Sequence, residues 1–138
     1  MVHLRLGLMF LFLFSTTMVW VTPGQSMDLT GTWESNYQVG PINEAMTAVI
    51  NQVGSDILGS FSIKSSLGDE YSGIIFGTVE GDNVKANYLS AKNGNGDPHL
   101  IITHIDSKVT DPNTIRGTYY VQDSDMNSEN GPFEAVRK

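Results

Sequence analysis

The sequence has no cysteine, few basic residues and no long apolar run beyond its first 21 residues. Without cysteine, the chain cannot form a disulfide scaffold, a thiolate metal site, a catalytic thiol or a lipid-modified N-terminal cysteine. Only 8 Lys and Arg stand against 15 Asp and Glu, so the formal net charge is −7. Nucleic acids and anionic lipids are bound by basic patches, so we expect neither as a partner.

The first 26 residues differ in composition from the rest of the chain. Arg5 precedes an apolar stretch, 6–21, and Thr22-Pro23-Gly24-Gln25-Ser26 then breaks any helix. This order is typical of a secretory signal peptide cleaved after Ser26. An uncleaved N-terminal membrane anchor is the alternative, because the apolar stretch is just short of the usual spanning length. Both interpretations predict a secreted or extracytoplasmic protein, and membrane contact only if the segment is uncleaved.

The remaining 112 residues, 27–138, are enough for one modest domain. Arg5 is the only basic residue before this region, so it holds 15 acids and 7 bases and has a net charge of −8. Such a charge favours solubility. With no disulfide available, the apolar core must stabilise this domain unaided.

One short pattern occurs four times: an apolar residue, any residue, Gly, Ser or Thr, then an apolar residue. In a strand, alternate residues share one face, so each copy places its glycine on the apolar side. Inward glycines mark bends or close backbone approaches, and repeated bends let a sheet close on itself. We therefore predict structural roles for the four glycines of the pattern, which are Gly31, Gly59, Gly77 and Gly117.

Alternating apolar residues and regularly spaced turn signals predict about eight short strands. The fold expected is all-β, a single antiparallel up-and-down β-barrel, with a β-sandwich as the alternative. One segment, 43–53, fits either a helix or a strand, and we favour a strand because a tight turn follows it. The predicted strands cover 28–37, 43–53, 57–64, 71–80, 84–90, 99–109, 115–122 and 133–137, and the loops 91–98 and 123–131 are polar.

The segment Asp28-Leu29-Thr30-Gly31-Thr32-Trp33 resembles the opening strand of avidin and lipocalin-type (calycin) barrels, which carries a Gly-x-Trp signature. The resemblance implies that Trp33 packs at the closed end of a barrel beneath a basic residue of the last strand, here Arg137. Avidins line their biotin site with several tryptophans, whereas Trp33 is the only one in 27–138. The lipocalin Thr-Asp-Tyr turn is also absent. We therefore expect the fold to transfer, but not the ligand.

No catalytic arrangement is recognisable in the sequence. It contains no Gly-rich phosphate loop before a helix, no nucleophile motif and no Ser/His/Asp pattern, so we expect a non-enzyme without a cofactor. One weak metal candidate is a calcium loop in which Asp123, Asp125, Asn127 and Glu134 occupy positions 1, 3, 5 and 12 of the EF-hand spacing. Position 6 is Ser128 rather than Gly, so a solvated hairpin loop is favoured and no metal is expected.

The inward face combines aromatic, small and hydroxyl side chains. Such a mixture fits either a filled core or a pocket with a few polar points. The first hypothesis is a secreted, non-enzymatic binding protein for a small, partly apolar ligand. The alternative is a solid barrel that binds a protein partner through its loops, such as an inhibitor of an extracellular enzyme. The candidate ligand-binding residues are Ser35, Tyr37, Tyr88, Thr103 and Tyr119.

Overall fold

The computed structural model describes residues 27–93 and 98–138. They form eight strands: β1 (Gly31–Val39), β2 (Ile42–Val53), β3 (Asp56–Ser65), β4 (Glu70–Glu80), β5 (Asn83–Asn93), β6 (Pro98–Asp111), β7 (Thr114–Asp123) and β8 (Ser128–Arg137). Each strand pairs antiparallel with the next, and β8 pairs with β1. The predicted closed up-and-down barrel is thus confirmed, and the sandwich alternative is wrong.

Two of the sequence predictions concern residues outside the described ranges, one wholly and one in part. The proposed signal or anchor segment, 1–26, lies outside the described residues, as do residues 94–97 of the predicted loop 91–98. Among the residues that are described, no helix is long and apolar enough to cross a membrane.

The ambiguous segment 43–53 belongs to strand β2, as predicted. Met46, Ala48 and Ile50 are buried, and the residues between them are exposed. The alternative helical stripe would have buried Val49 and Val53, but these side chains are 46% and 79% exposed. The burial therefore follows the two-residue period of a strand.

Several strands extend beyond their predicted ends. β5 ends at Asn93 and β6 begins at Pro98, so both strands extend into the predicted loop. β8 begins at Ser128 rather than at Phe133. The backbone ladder needs no apolar side chain, so pairing continues where the alternating pattern has stopped. At the other end of the chain, β1 begins at Gly31 instead of Asp28.

The inward glycines lie where the backbone of the paired neighbouring strand approaches closely. A Cβ atom added to Gly59, Gly77 or Gly117 would overlap a backbone carbonyl oxygen of the adjacent strand, namely those of Val49, Lys85 and Asp106. Only glycine allows this approach. The fourth, Gly31, has a φ of +144°, and an added Cβ would lie 3.0 Å from Arg137 Nη1. These contacts support the structural role predicted for the four glycines.

One end of the barrel is closed by Trp33 and Arg137. Trp33 is 1% exposed, and the Arg137 guanidinium carbon lies 4.5 Å from the centroid of its ring. Arg137 Nη1 and Nη2 donate to the carbonyl oxygens of Thr30 (2.6 Å) and Asp28 (2.7 Å), and Trp33 Nε1 donates to that of Leu29 (2.9 Å). The contact implied by the calycin resemblance is present, and it joins the last strand to the first.

The seam between β1 and β8 is closed partly by side chains. Their described ladder is confined to two register pairs at the Trp33 end. Further along the seam, Ser35 Oγ donates to the Glu134 carbonyl (2.5 Å), and the Tyr119 hydroxyl donates to the Gln38 carbonyl (2.7 Å). Side-chain hydrogen bonds therefore continue the closure where the described backbone pairing stops.

Candidate functional site

The barrel is filled in one half and hollow in the other. The completely buried side chains Leu29, Trp33, Ile75 and Val79 fill the half that Arg137 closes. A cavity of about 260 Å³ lies towards the opposite end, where β1 turns into β2 and β7 into β8. This is slightly below the usual range for ligand pockets. Since an apolar cavity of about 150 Å³ accepts a benzene molecule, the space suits a ligand of roughly two fused rings.

Four of the five predicted ligand-binding residues line this cavity: Tyr37, Tyr88, Thr103 and Tyr119. The fifth, Ser35, also has a buried side chain but does not line it. Its hydroxyl is bonded to the Glu134 carbonyl at the β1–β8 seam. The structure therefore places Ser35 in the closure of the barrel rather than in the cavity wall.

The cavity wall is mainly apolar and aromatic. The Phe61 and Tyr88 rings stack with their centroids 5.3 Å apart, and the Tyr37 and Tyr119 rings are tilted by 50° at 5.6 Å. Such ring pairs form rigid surfaces against which a flat, apolar molecule can pack. The aliphatic part of the wall consists of Val39, Met46, Ile63, Ile101, Ile105 and Val121.

A cluster of two tyrosines and a carboxylate forms one polar part of the wall. The Tyr71 hydroxyl donates to Glu44 Oε2 at 2.9 Å, and the Tyr37 hydroxyl interacts with both groups. Burial, with the nearby Glu44 charge, raises the pKa of Tyr71 well above its usual value. Burial also raises the pKa of Tyr37, with further contributions from Tyr71 and Glu44. Both phenols therefore stay neutral beside the Glu44 carboxylate.

Tyr88 provides a second polar point, deeper in the barrel. It is 8% exposed, and burial raises the pKa of its hydroxyl well above the usual range. A neutral phenol facing the cavity can both donate a hydrogen bond to a ligand and accept one from it.

The rim loop between β7 and β8 is held together by Asp123. Its Oδ1 accepts hydrogen bonds from the backbone N–H groups of Asp125 (3.0 Å) and Asn127 (2.9 Å), and its Oδ2 accepts one from Asn127 Nδ2 (2.9 Å). These bonds, led by the one from the Asn127 side chain, lower the pKa of Asp123. The carboxylate is thus occupied in folding the rim.

The weak calcium candidate is not assembled by this loop. Glu134 lies six residues beyond Ser128 along β8, which is roughly 20 Å at the rise of an antiparallel strand. Its carboxylate pairs with Arg116 Nε at 2.6 Å on the outer surface. In residues 27–93 and 98–138, no three His, Asp or Glu side chains are grouped to hold a metal ion.

Glu44 lines the cavity but is not among the site residues predicted from the sequence, although the sequence contains a signal for it. Met46, Ala48 and Ile50 define the inward face of β2, and the same two-residue period continues to Glu44. A carboxylate on the inward face near the end of a strand predicts a polar point inside the barrel. The same two-residue period leads from Tyr88 to Ser90 and from Thr103 back to Ile101, and Ser90 and Ile101 also line the cavity.

The comparisons with known proteins identify the fold alone. No family model and no curated protein matches the chain. A de novo designed fluorescence-activating β-barrel has a TM-score of 0.60 at 17% identity, covering 83% of this chain and 98% of its own. A redesigned β-barrel, mFAP1, bound to DFHBI, has a TM-score of 0.59 at 16% identity, covering 80% of this chain and 94% of its own.

Proposed function

We propose that this protein is a non-enzymatic binding protein that holds a small, partly apolar ligand in the cavity at the open end of its barrel. The observation that carries the proposal is the half-filled interior, because a barrel of this size can be packed solid with side chains. Here the packing stops short, and aromatic rings and a few polar groups surround the remaining space. Ligand sites typically have this composition.

The structural neighbours are compatible with this role. One of them, mFAP1, is a barrel of the same fold with a molecule bound to it. The alternative of a solid barrel acting through its loops requires a filled interior, and the cavity does not favour it.

The proposal includes kinship with the calycin barrels and a site of action outside the cytoplasm. The Trp33–Arg137 contact at the closed end supports the kinship. The apolar stretch 6–21, followed by a helix-breaking segment, supports secretion or N-terminal anchoring. Cleavage after Ser26 would leave a mature chain that begins at Met27.

Binding of naphthylethanol, a neutral two-ring alcohol, tests the proposed function. Thr103→Trp places a large ring inside the cavity, and Val121→Phe narrows it nearer the rim. Thr47→Trp adds the same ring to an exposed outward position on β2 and is the matched control. We expect saturable one-to-one binding by calorimetry to the unmodified protein and to the control, weakened at least about tenfold by the blocking variants.

Thermal unfolding monitored by circular dichroism verifies that each variant is folded. The proposal is contradicted if the unmodified protein binds neither naphthylethanol nor its amine and carboxylate analogues, naphthylethylamine and naphthylacetate. It is also contradicted if both blocking variants are folded and bind as tightly as the control.

A further inference from the structure

We propose that the ligand of this cavity is an organic cation, an amine or quaternary ammonium group carried on an apolar body. This inference rests on the proposed binding function and specifies the class of ligand. It follows from the charges, the aromatic rings and the depth at which each is placed.

The ionisable carboxylates of the cavity have no basic counterpart in its lining. Glu44, Asp123 and Glu129 line the space, and none of the described lining residues is a lysine, arginine or histidine. Among the described basic groups, Lys64 pairs with Glu70 at 3.1 Å and Arg116 with Glu134, both away from the cavity. His99 pairs with Asp125 of the rim loop at 3.2 Å and contributes to the lowered pKa of Asp123. A concave surface lined with charge of one sign concentrates ligands of the opposite sign and repels those of the same sign.

Glu44 is the carboxylate best placed to meet a bound cation. Asp123 is engaged by the rim loop, and Glu129 lies on an exposed part of β8. Glu44 is only partly exposed and is held in place by Tyr71. A pre-positioned carboxylate of this kind loses little conformational freedom when it forms an ion pair with a ligand.

The aromatic wall favours the same ligand charge. Cations are attracted to the faces of aromatic rings, and quaternary ammonium groups are recognised by aromatic cages. The phenols beside Glu44 stay neutral, so their rings add to this attraction without competing as ions. The aromatic residues that line the cavity are Tyr37, Phe61, Tyr71, Tyr88, Tyr119 and Phe133.

The positions of the groups orient the ligand. Glu44 lies three residues into β2 from the β1–β2 turn, whereas Phe61, Ile105 and Phe133 lie further towards the filled half. A cationic head at Glu44 would therefore leave the apolar body pointing inwards, against these side chains. The Tyr88 hydroxyl can bond a polar substituent on that body.

Three naphthyl compounds of similar shape separate the effect of charge from that of apolar burial: naphthylethylamine, naphthylethanol and naphthylacetate. We expect the protonated amine to bind about tenfold or more tighter than the alcohol at neutral pH and low salt, and the carboxylate to bind more weakly than the alcohol. The preference for the amine should shrink as ionic strength rises.

Glu44→Gln removes the charge and keeps a hydrogen-bond acceptor for Tyr71. We expect it to reduce the amine-to-alcohol affinity ratio to below about threefold, from the tenfold or more of the unmodified protein. Glu70→Gln is the control, since it changes the net charge equally at an exposed position that does not line the cavity. It should leave the ratio unchanged.

Equal binding of the three compounds, or tightest binding of naphthylacetate, would overturn the inference while the binding function stands. So would an amine preference that Glu44→Gln and Glu70→Gln reduce equally, because the preference would then come from the overall charge. Failure of all three compounds to bind would instead overturn the proposed function itself.

Discussion

At the residue scale, the tyrosines of the cavity are held as neutral hydroxyls. Burial is the leading cause of the raised pKa at Tyr37, Tyr71 and Tyr88, and the charge of Glu44 adds to it at the first two. A phenolate in these positions would lie in an apolar wall or beside a carboxylate. The cavity therefore keeps its phenolic hydroxyls as hydrogen-bonding groups without gaining a phenolate charge.

This arrangement predicts that the barrel loses stability in alkali. Below pH about 10, these phenols are protonated in both the folded and unfolded states. Above it, the unfolded chain releases protons that the folded barrel retains, so the free energy of unfolding falls by up to ~1.4 kcal/mol per pH unit for each tyrosine. Tyr88→Phe should reduce the slope of the free energy of unfolding against pH by the contribution of one tyrosine, up to ~1.4 kcal/mol per pH unit. Urea unfolding at a series of alkaline pH values measures this slope. An unchanged slope in that variant would contradict the burial assigned to Tyr88.

The inward-facing residues could be predicted from the sequence, but their positions along the barrel axis could not. Ser35 and Tyr37 share one face of β1, yet only Tyr37 reaches the cavity. Alternation specifies which face of the sheet a side chain occupies. Whether an inward side chain reaches the cavity depends on its position along the barrel axis, which is determined by strand register and by where the filled core ends. Glu44 was missed for a different reason, because a charged residue interrupts an apolar pattern even when the period continues through it.

At the scale of the strand, glycines allow the neighbouring strands to approach closely. The backbone of β2 comes close to Gly59 of β3, that of β5 to Gly77 of β4, and that of β6 to Gly117 of β7. Gly131 has another use, because an added Cβ there would lie 2.8 Å from the Tyr119 ring and hydroxyl. Its missing side chain leaves room for Tyr119 to reach β1 and bond Gln38 across the seam.

Gly59→Ala tests the close approach of β2 and β3. The added methyl group would meet the Val49 carbonyl, which is backbone and cannot move independently of β2. We expect the free energy of unfolding to fall by about 1–3 kcal/mol, as for other overpacked sites. Ser60→Ala, on the exposed face of the same strand, should change it by no more than about 0.5 kcal/mol. Equal effects of the two substitutions in urea unfolding would exclude the close approach.

The existence and order of the strands could be predicted, but their ends could not. The pattern within 43–53 was enough to assign β2, because burial with a period of two needs only local sequence. The β8 segment from Ser128 to Pro132 carries little of that pattern and is a strand because it pairs with β7. Pairing of this kind depends on the partner strand, which local alternation does not reveal.

At the scale of the whole molecule, the barrel has two different ends and an apolar outer patch. Arg137 and Trp33 close one end, and the acidic, aromatic cavity lies towards the other. Outside the barrel, Leu58 pairs in register with Phe76, and both are exposed, as is Ile74 nearby. The outer patch is a competing location for any apolar compound, so a test of the account must locate the bound molecule.

Intermolecular nuclear Overhauser effects between naphthylethylamine and the isotopically labelled protein provide this location. The account predicts contacts from the naphthyl protons to the side chains of Phe61, Tyr88 and Ile105, and from the methylene next to the amine to Tyr71 or Tyr37. Contacts confined to Leu58, Ile74 and Phe76 would contradict it, because the ligand would then lie on the outside of the barrel.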